Sequence, residues 1–416
     1  MCGIAAIFAY RPDAPPVDPA ELTAIGEAMK ARGPDGAGLW MSSERRVGLG
    51  HRRLAIIDPT EAGAQPMATA DGRVRITFNG EIYNYRELRQ DLIARGHAFV
   101  SNSDTEVLLH LYDEYGPDML SLLRGMFAFA IWDARHQRLF LARDPLGIKP
   151  LYYADDGRTL RCASQVKALV AGSVPDAPSA AGMAGFFLWG HVPEPWTWAA
   201  AVRALPVGST LTVKLDGPVP APQRYFDLRE EILAAQEADP PTGDVASEAL
   251  ELVADSVRHH LVADVPVGVF LSAGRDSTLI ATLAARESRE PVRTFTLGFD
   301  EFRGRREDEA PVAERVAAAI GAQQTTARIE RQDFEAEHAR LIAAMDQPSI
   351  DGVNTYFVAC AAAAAGLKVA LSGLGGDELF GGYPSFTQVP RLSTSLAAFA
   401  AAPWFGRALR AISAPL

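Results

Sequence analysis

Val265-Pro266-Val267-Gly268-Val269-Phe270-Leu271-Ser272-Ala273-Gly274-Arg275-Asp276-Ser277 decides how the second half of the chain folds. An apolar run over 265–271 passes straight into a turn of small residues and then into a helical pattern at 278–288, so strand, tight loop and helix follow without a break. Working outward, a helix is expected at 247–261, a strand at 292–297, helices at 311–320, 333–345 and 355–365, and a strand at 368–371. The alanine run 361–365 is ordinary helix, since alanine is the best helix former. Strand alternating with helix implies a parallel, doubly wound sheet, with ligands at the carboxyl ends of its strands.

Upstream the grammar differs. Short strand-like runs at Gly3–Ala9, 47–49, 73–78, 127–132, 138–142 and 210–215 are separated by turn residues, as in sheet-rich structure. Helices are expected at 84–95 and at Asp104–Tyr115, the latter opening on Ser103. Gly217-Pro218-Val219-Pro220-Ala221-Pro222 and Pro240-Pro241-Thr242-Gly243 bracket a polar stretch that reads as a linker, with a short helix at 228–238. At 416 residues the chain calls for two domains, and the break falls at this linker.

Composition narrows the function. The chain is 48% hydrophobic and 22% charged, as globular proteins are, and its net charge of −11 argues against a nucleic-acid partner. Cys2, Cys162 and Cys360 make neither a disulfide framework nor a metal cluster, which fits a reduced compartment, and Cys162 reads as a small core residue. No segment reaches the ~18–20 apolar residues of a membrane span, and no signal peptide is evident. A cytoplasmic enzyme is the expectation.

Two loops carry anion chemistry. After the 265–271 strand, backbone N–H groups and a helix N-terminus point at one place, where Ser272, Gly274 and Ser277 are suited to wrap a pyrophosphate and Asp276 to hold Mg²⁺. It is not a Walker loop, because the Gly-Lys-Ser/Thr ending is missing. Ser372-Gly373-Leu374-Gly375-Gly376-Asp377-Glu378-Leu379-Phe380-Gly381-Gly382-Tyr383 repeats the arrangement behind a second strand. Two carboxylates beside a phosphate chain call for Mg²⁺ between them.

A third constellation lies at the N-terminus. Cys2 follows Met1; once Met1 is removed, thiol and α-amine share one residue, and an amine with a pKa of roughly 7.7–8.0 can serve its own thiol as base. Further along stand Arg32-Gly33-Pro34-Asp35-Gly36, His51-Arg52-Arg53-Leu54-Ala55-Ile56, Phe78-Asn79-Gly80-Glu81-Ile82-Tyr83-Asn84 and Ser103-Asp104-Thr105-Glu106. Gly125-Met126-Phe127-Ala128-Phe129-Ala130 and Arg143-Asp144-Pro145-Leu146-Gly147-Ile148-Lys149-Pro150-Leu151-Tyr152 complete the set.

In that order these motifs resemble class II glutamine amidotransferases, and within them the asparagine synthetase branch. The resemblance implies an N-terminal-nucleophile domain of α-β-β-α layers over 2–215, a linker over 216–246 and an ATP-pyrophosphatase domain over 247–416. It makes Cys2 the nucleophile and gives the oxyanion to the Asn79 side chain and the Gly80 N–H. Arg53 would clamp the glutamine carboxylate, and Asp104, helped by Glu81, its ammonium. Leu271 and Leu297 would flank adenine, Ser372 and Gly373 would touch ATP, and Asp377 would join Asp276 around magnesium and pyrophosphate. The segment 143–151 is read as structural. The implied partners are glutamine, ATP and aspartate or another carboxylate, and the family suggests a homodimer.

Three features depart from the family pattern. Ala273 stands where the Ser-Gly-Gly-x-Asp-Ser loop has glycine. Leu374 replaces a glutamate of some members, and Pro348-Ser349-Ile350-Asp351-Gly352 replaces a Thr-Ile-Arg stretch that grips the side carboxylate of aspartate. Members also usually continue well past the tyrosine block, so the synthetase domain is expected to be shortened, with an apolar helical tail at 395–412. Asparagine synthesis is therefore read beside two alternatives: amidation or cyclisation of another carboxylate, and a glutaminase or binding remnant.

Overall fold

The computed structural model describes residues 1–237 and 243–400, together with Trp404, Gly406 and Arg410. Gly3–Ala9 is buried along its whole length, because both faces of the strand are covered. Ile4, Ala6 and Phe8 point to one side and Ala5, Ile7 and Ala9 to the other, as the two-residue period of a strand requires. The strand sits inside a six-stranded antiparallel sheet, in the order Arg203–Ala204, Tyr152–Asp155, Thr159–Ala163, Gly3–Ala9, Val47–Arg53, Gly36–Met41.

A second six-stranded antiparallel sheet runs Gln223–Arg224, Ser209–Lys214, Arg138–Arg143, Gly125–Asp133, Val74–Ile82, Met67–Ala68. Its Ala128, Ala130, Leu139 and Leu141 meet Ile4, Phe8 and Leu160 of the first sheet in one buried core. Helices cover the outer faces: Pro19–Ala28 and Val166–Gly172 on the first sheet, Tyr85–Ala94 and Asp104–Tyr115 on the second. The result is the expected α-β-β-α layering. Cys162 is fully buried in its core.

The third sheet has four parallel strands, ordered Gln323–Ile329, Arg293–Phe299, Val267–Phe270, Val369–Leu371. Helices Val245–His260, Arg275–Glu287 and Ala310–Ala319 pack in one cluster, and Val353–Ala364 packs against Phe295 in another. Taken by sequence the strand order is 3-2-1-4, so the winding reverses between Val267–Phe270 and Val369–Leu371. At such a reversal a crevice opens beyond the carboxyl ends of the strands. The two small-residue loops follow these two strands, so both stand at that crevice.

Several elements differ from the sequence expectation. The strand expected to end at Leu297 continues to Phe299, because it pairs along its whole length with Gln323–Ile329, a polar edge strand without an apolar run. Helices Pro19–Ala28, Val166–Gly172 and Ala180–Trp189 add to the two expected in the first half. The tail helix starts at Ser385 rather than 395 and carries Pro390 within it. Beyond Ala400, only Trp404, Gly406 and Arg410 of the segment expected to be helical lie among the described residues. The helix Leu228–Glu237 lies in the expected linker, whose Pro240-Pro241-Thr242 falls outside the described residues. No helix among the described residues is long and apolar enough to cross a membrane.

Candidate active site

Cys2 stands one residue before the Gly3–Ala9 strand, whose register pairs Gly3 with Arg52. Its Sγ accepts the Leu54 N–H at 3.3 Å and lies 3.6 Å from the Leu54 carbonyl. Its own carbonyl accepts Arg32 Nε at 2.9 Å. Burial pushes the thiol up, against the pull of the Leu54 contact, the neighbouring amine and Lys149. Met1 is in place, and burial drives its α-amine down to about 5.

The thiol opens on a cavity of about 230 Å³ that gathers Arg53, Asn79, Gly80, Glu81 and Asp104. Asn79 is 1% exposed and its Nδ2 has no hydrogen-bond partner. An orphaned buried donor costs about 1–3 kcal/mol, so this one stands ready for an acceptor within the cavity. At position 80 any side chain would collide with the Met126 carbonyl of the facing strand, which is why glycine is required there. Arg53 is tethered by two backbone carbonyls, Thr60 at 2.6 Å and Asp58.

The acidic side of the cavity is buried too. Asp104 opens its helix and accepts the Ile82 N–H at 3.0 Å; burial raises its carboxyl to about 6 despite that bond. Burial raises Glu81 to about 7, moderated by Lys149. Lys149 is 5% exposed in the cavity wall, and burial lowers its ammonium against the attraction of Glu81. Sequence reasoning missed it, having taken 143–151 as scaffold. Its neighbours fit that reading: Asp144 accepts the N–H groups of Leu146, Ile148 and Lys149, and Arg143 binds Glu194 and the Leu205 carbonyl. A lone lysine in an otherwise apolar Gly-Ile-Lys-Pro-Leu run was the available signal. His51, held near 3 by burial, bonds Thr77 Oγ1 between the sheets and does not line the cavity.

The second constellation is built from the two loops. Ser272 Oγ and Ser277 Oγ lie 2.8 Å apart, the Gly274 N–H donates to Ser272 Oγ at 3.1 Å, and Ser277 Oγ reaches the Gly274 carbonyl at 3.2 Å. Ala273 is not among the non-glycine residues with positive φ, so its methyl group brings no backbone strain. A Cβ at Gly373 would stand 2.9 Å from the Ser277 N, so glycine there lets the loops touch. The Asp276 carboxylate abuts Gly376, the residue before Asp377. Asp276 and Asp377 are the carboxylates that would hold Mg²⁺ beside such loops, oxygen donors being what that ion takes. Leu271 is buried at the end of its strand, whereas Leu297 lies within the neighbouring one, paired with Ala327.

Comparison with known proteins separates the same two regions. A family profile described as a glutamine amidotransferase domain matches residues 1–226, and one described as asparagine synthase matches 248–414. The chain is 38% identical over 386 residues to "Asparagine synthetase [glutamine-hydrolyzing] 1" of Bacillus subtilis, covering 92% of this chain and 59% of that protein. It is 32% identical over 410 residues to "Putative asparagine synthetase [glutamine-hydrolyzing] 2" of Methanocaldococcus jannaschii, covering 92% and 76%. It is 31% identical over 416 residues to "Amidase chry2" of Gibberella zeae, covering 93% and 60%. The chain thus spans about three fifths of the Bacillus and Gibberella proteins. An amidotransferase region joined to a synthase region is the class so defined. The chain belongs to the glutamine-hydrolysing asparagine synthetase family.

Proposed function

We propose that the chain hydrolyses glutamine at Cys2 and uses the ammonia to convert aspartate to asparagine, splitting ATP to AMP and pyrophosphate. The observation that carries the reading is the cavity that joins the Cys2 thiol to the unpartnered Nδ2 of buried Asn79. With Met1 removed, the α-amine passes to Cys2 itself. That amine, within reach of the thiol on the same residue, accepts the thiol proton. The thiolate adds to the glutamine amide carbon, Asn79 Nδ2 and the Gly80 N–H hold the oxyanion, and the proton leaves with ammonia. Water then frees glutamate from the thioester. Arg53 holds the substrate carboxylate, and Asp104 and Glu81 its ammonium.

At the other site Ser272, Gly274, Ser277, Ser372 and Gly373 hold the phosphates, and Leu271 and Leu297 flank the adenine. Asp276 and Asp377 would hold Mg²⁺, which neutralises the departing pyrophosphate. The aspartate side carboxylate attacks the α-phosphorus of ATP, pyrophosphate leaves and an acyl-adenylate forms; ammonia then attacks its acyl carbon, AMP leaves and the amide remains. The division at 216–246, the cytoplasmic setting and a homodimer belong to this reading.

The test is end-point detection of asparagine and AMP with ATP, Mg²⁺, aspartate and glutamine. Matching amounts of both are expected; glutamate alone would refute synthesis and leave a glutaminase. A second reading replaces aspartate with another carboxylate. It is favoured by exposed Asp351, whose charge repels a substrate carboxylate, and by Leu374, 80% exposed at the second loop. AMP formed only with a non-aspartate acid would establish it.

A further inference from the structure

The backbone segment that walls the thiol cavity is fastened to the parallel sheet at two points. Both lie at the amino ends of the strands whose carboxyl ends carry the loops. Ahead of Val267–Phe270, the Asp264 N–H donates to the Ile56 carbonyl at 3.0 Å and Asp264 Oδ2 accepts the Asp58 N–H at 2.8 Å. Ahead of Val369–Leu371, Lys368 Nζ donates to Asp35 Oδ2 at 2.7 Å and approaches the Ala55 carbonyl at 3.4 Å.

Asp35 Oδ2 also accepts the Ala55 N–H at 2.8 Å. Residue 55 is therefore gripped at both its N–H and its carbonyl, next to Leu54, whose N–H bonds the Cys2 thiol. Burial works to raise the Asp35 carboxyl, but the bonds from Lys368 and Ala55 outweigh it and hold it low. The Asp35 carboxylate is thus held in its charged form. The same segment carries Asp58, a non-glycine residue at φ 46°, whose carbonyl tethers Arg53. A residue in that region of φ/ψ space persists only where its surroundings over-determine it, and the Asp264 contact is one of those constraints.

From Lys368 to Ser372 the chain covers only four residues, about 13 Å of extended strand. Val369 and Ala370, within that span, also line the thiol cavity. At its far end Gly373 lies against the Ser277 backbone, so anything that enters between the loops must press on this short strand.

We propose that Lys368, with Asp264 ahead of the adjacent strand, is a positioning residue that makes the Cys2 cavity respond to occupancy of the two loops. Movement of Ser372-Gly373 shifts the grip of Lys368 on Asp35 and Ala55, and with it the Leu54 N–H beneath the thiol. This rests on the reading of the loops as a nucleotide site and of Cys2 as the glutamine nucleophile.

The test follows Cys2 alkylation by iodoacetamide in the full chain, resolved by peptide mass spectrometry so that Cys360 is counted separately. Rates are compared with and without ATP, Mg²⁺ and aspartate. The wild-type rate is expected to change about fivefold or more, the scale of ordinary coupling between sites. Lys368→Met and Asp35→Asn are expected to lose that response at an unchanged melting temperature, and Lys368→Arg to keep most of it, which a merely structural role would not require. A wild-type response in Lys368→Met, or in Asp35→Asn should Lys368→Met not fold, overturns the inference. Absence of a response in a wild-type chain that binds ATP by calorimetry and releases glutamate overturns the inference but spares the proposed function. Failure of ATP binding or glutamate release overturns both.

Discussion

The thiol cavity and the paired loops are built on opposite principles. Around Cys2 the polar groups are buried and partly unsatisfied: Asn79 is 1% exposed with a free donor, and Asp104 is 4% exposed with its carboxyl raised. At the loops the hydroxyls of Ser272 and Ser277 satisfy one another, and the helix Gly376–Phe380 leaves Leu379 and Phe380 largely exposed. The first site holds its shape and waits for a ligand. The second, on the proposed reading, exchanges internal bonds for ligand bonds. Electrostatic stabilisation depends on donors fixed in advance, so the contrast places the rigid chemistry in the antiparallel layers and the adaptable binding on the parallel sheet.

The contrast is most sharply tested by Cys2→Ala, which should cut glutamine-dependent activity by about 10⁴-fold or more and leave any ammonia-dependent synthesis intact. Surviving glutaminase activity, read as glutamate release, would remove Cys2 from its role. Asn79→Ala comes next, with kcat for glutamine falling by about 10²–10³-fold. A change in KM alone would mean that Asn79 binds substrate instead of stabilising the oxyanion.

Asp276→Asn should weaken ATP–Mg²⁺ binding by roughly tenfold or more in calorimetry, the scale of a lost charge-assisted contact, while glutamate release without nucleotide persists. The smallest effect expected is a pH dependence. Burial raises Asp104 to about 6 and Glu81 to about 7, so their charged forms accumulate as pH rises through those values. An ammonium ligand then binds better, and KM for glutamine should fall by several-fold from about pH 5 to about pH 8. Glu81→Gln should flatten the upper part of that profile.

What could be read from the sequence was what local chemistry determines. Gly3–Ala9 declared itself because both its faces are covered, which leaves an unbroken apolar run. Asp104–Tyr115 did so through the Ser103 cap, which accepts the Thr105 N–H. Gln323–Ile329 did not, because an edge strand takes its conformation from the ladder it joins and its polar side chains carry no alternation. Ala180–Trp189 is apolar on every side, with Phe187, Leu188 and Trp189 exposed, so it lacks the face that would mark a helix. At the site, the thiol-side motif residues came into one cavity, but Lys149 showed only as a lone lysine in an apolar run and Lys368 not at all. Neither has a spacing signal, and Lys368 meets Asp35 only across 333 positions of chain.

The collision between residue 80 and the Met126 carbonyl bears on how the two proposed oxyanion donors can be separated experimentally. A genetic library has a single permissible letter at this position. Every replacement pushes the facing strand away, and Met126 is itself part of the cavity wall. Mutagenesis can therefore interrogate the amide of Asn79 but not the peptide N–H of Gly80. That donor is reached only by backbone chemistry: an ester in place of the 79–80 peptide, installed by semisynthesis, deletes the N–H while keeping the hydrogen atom that the packing demands.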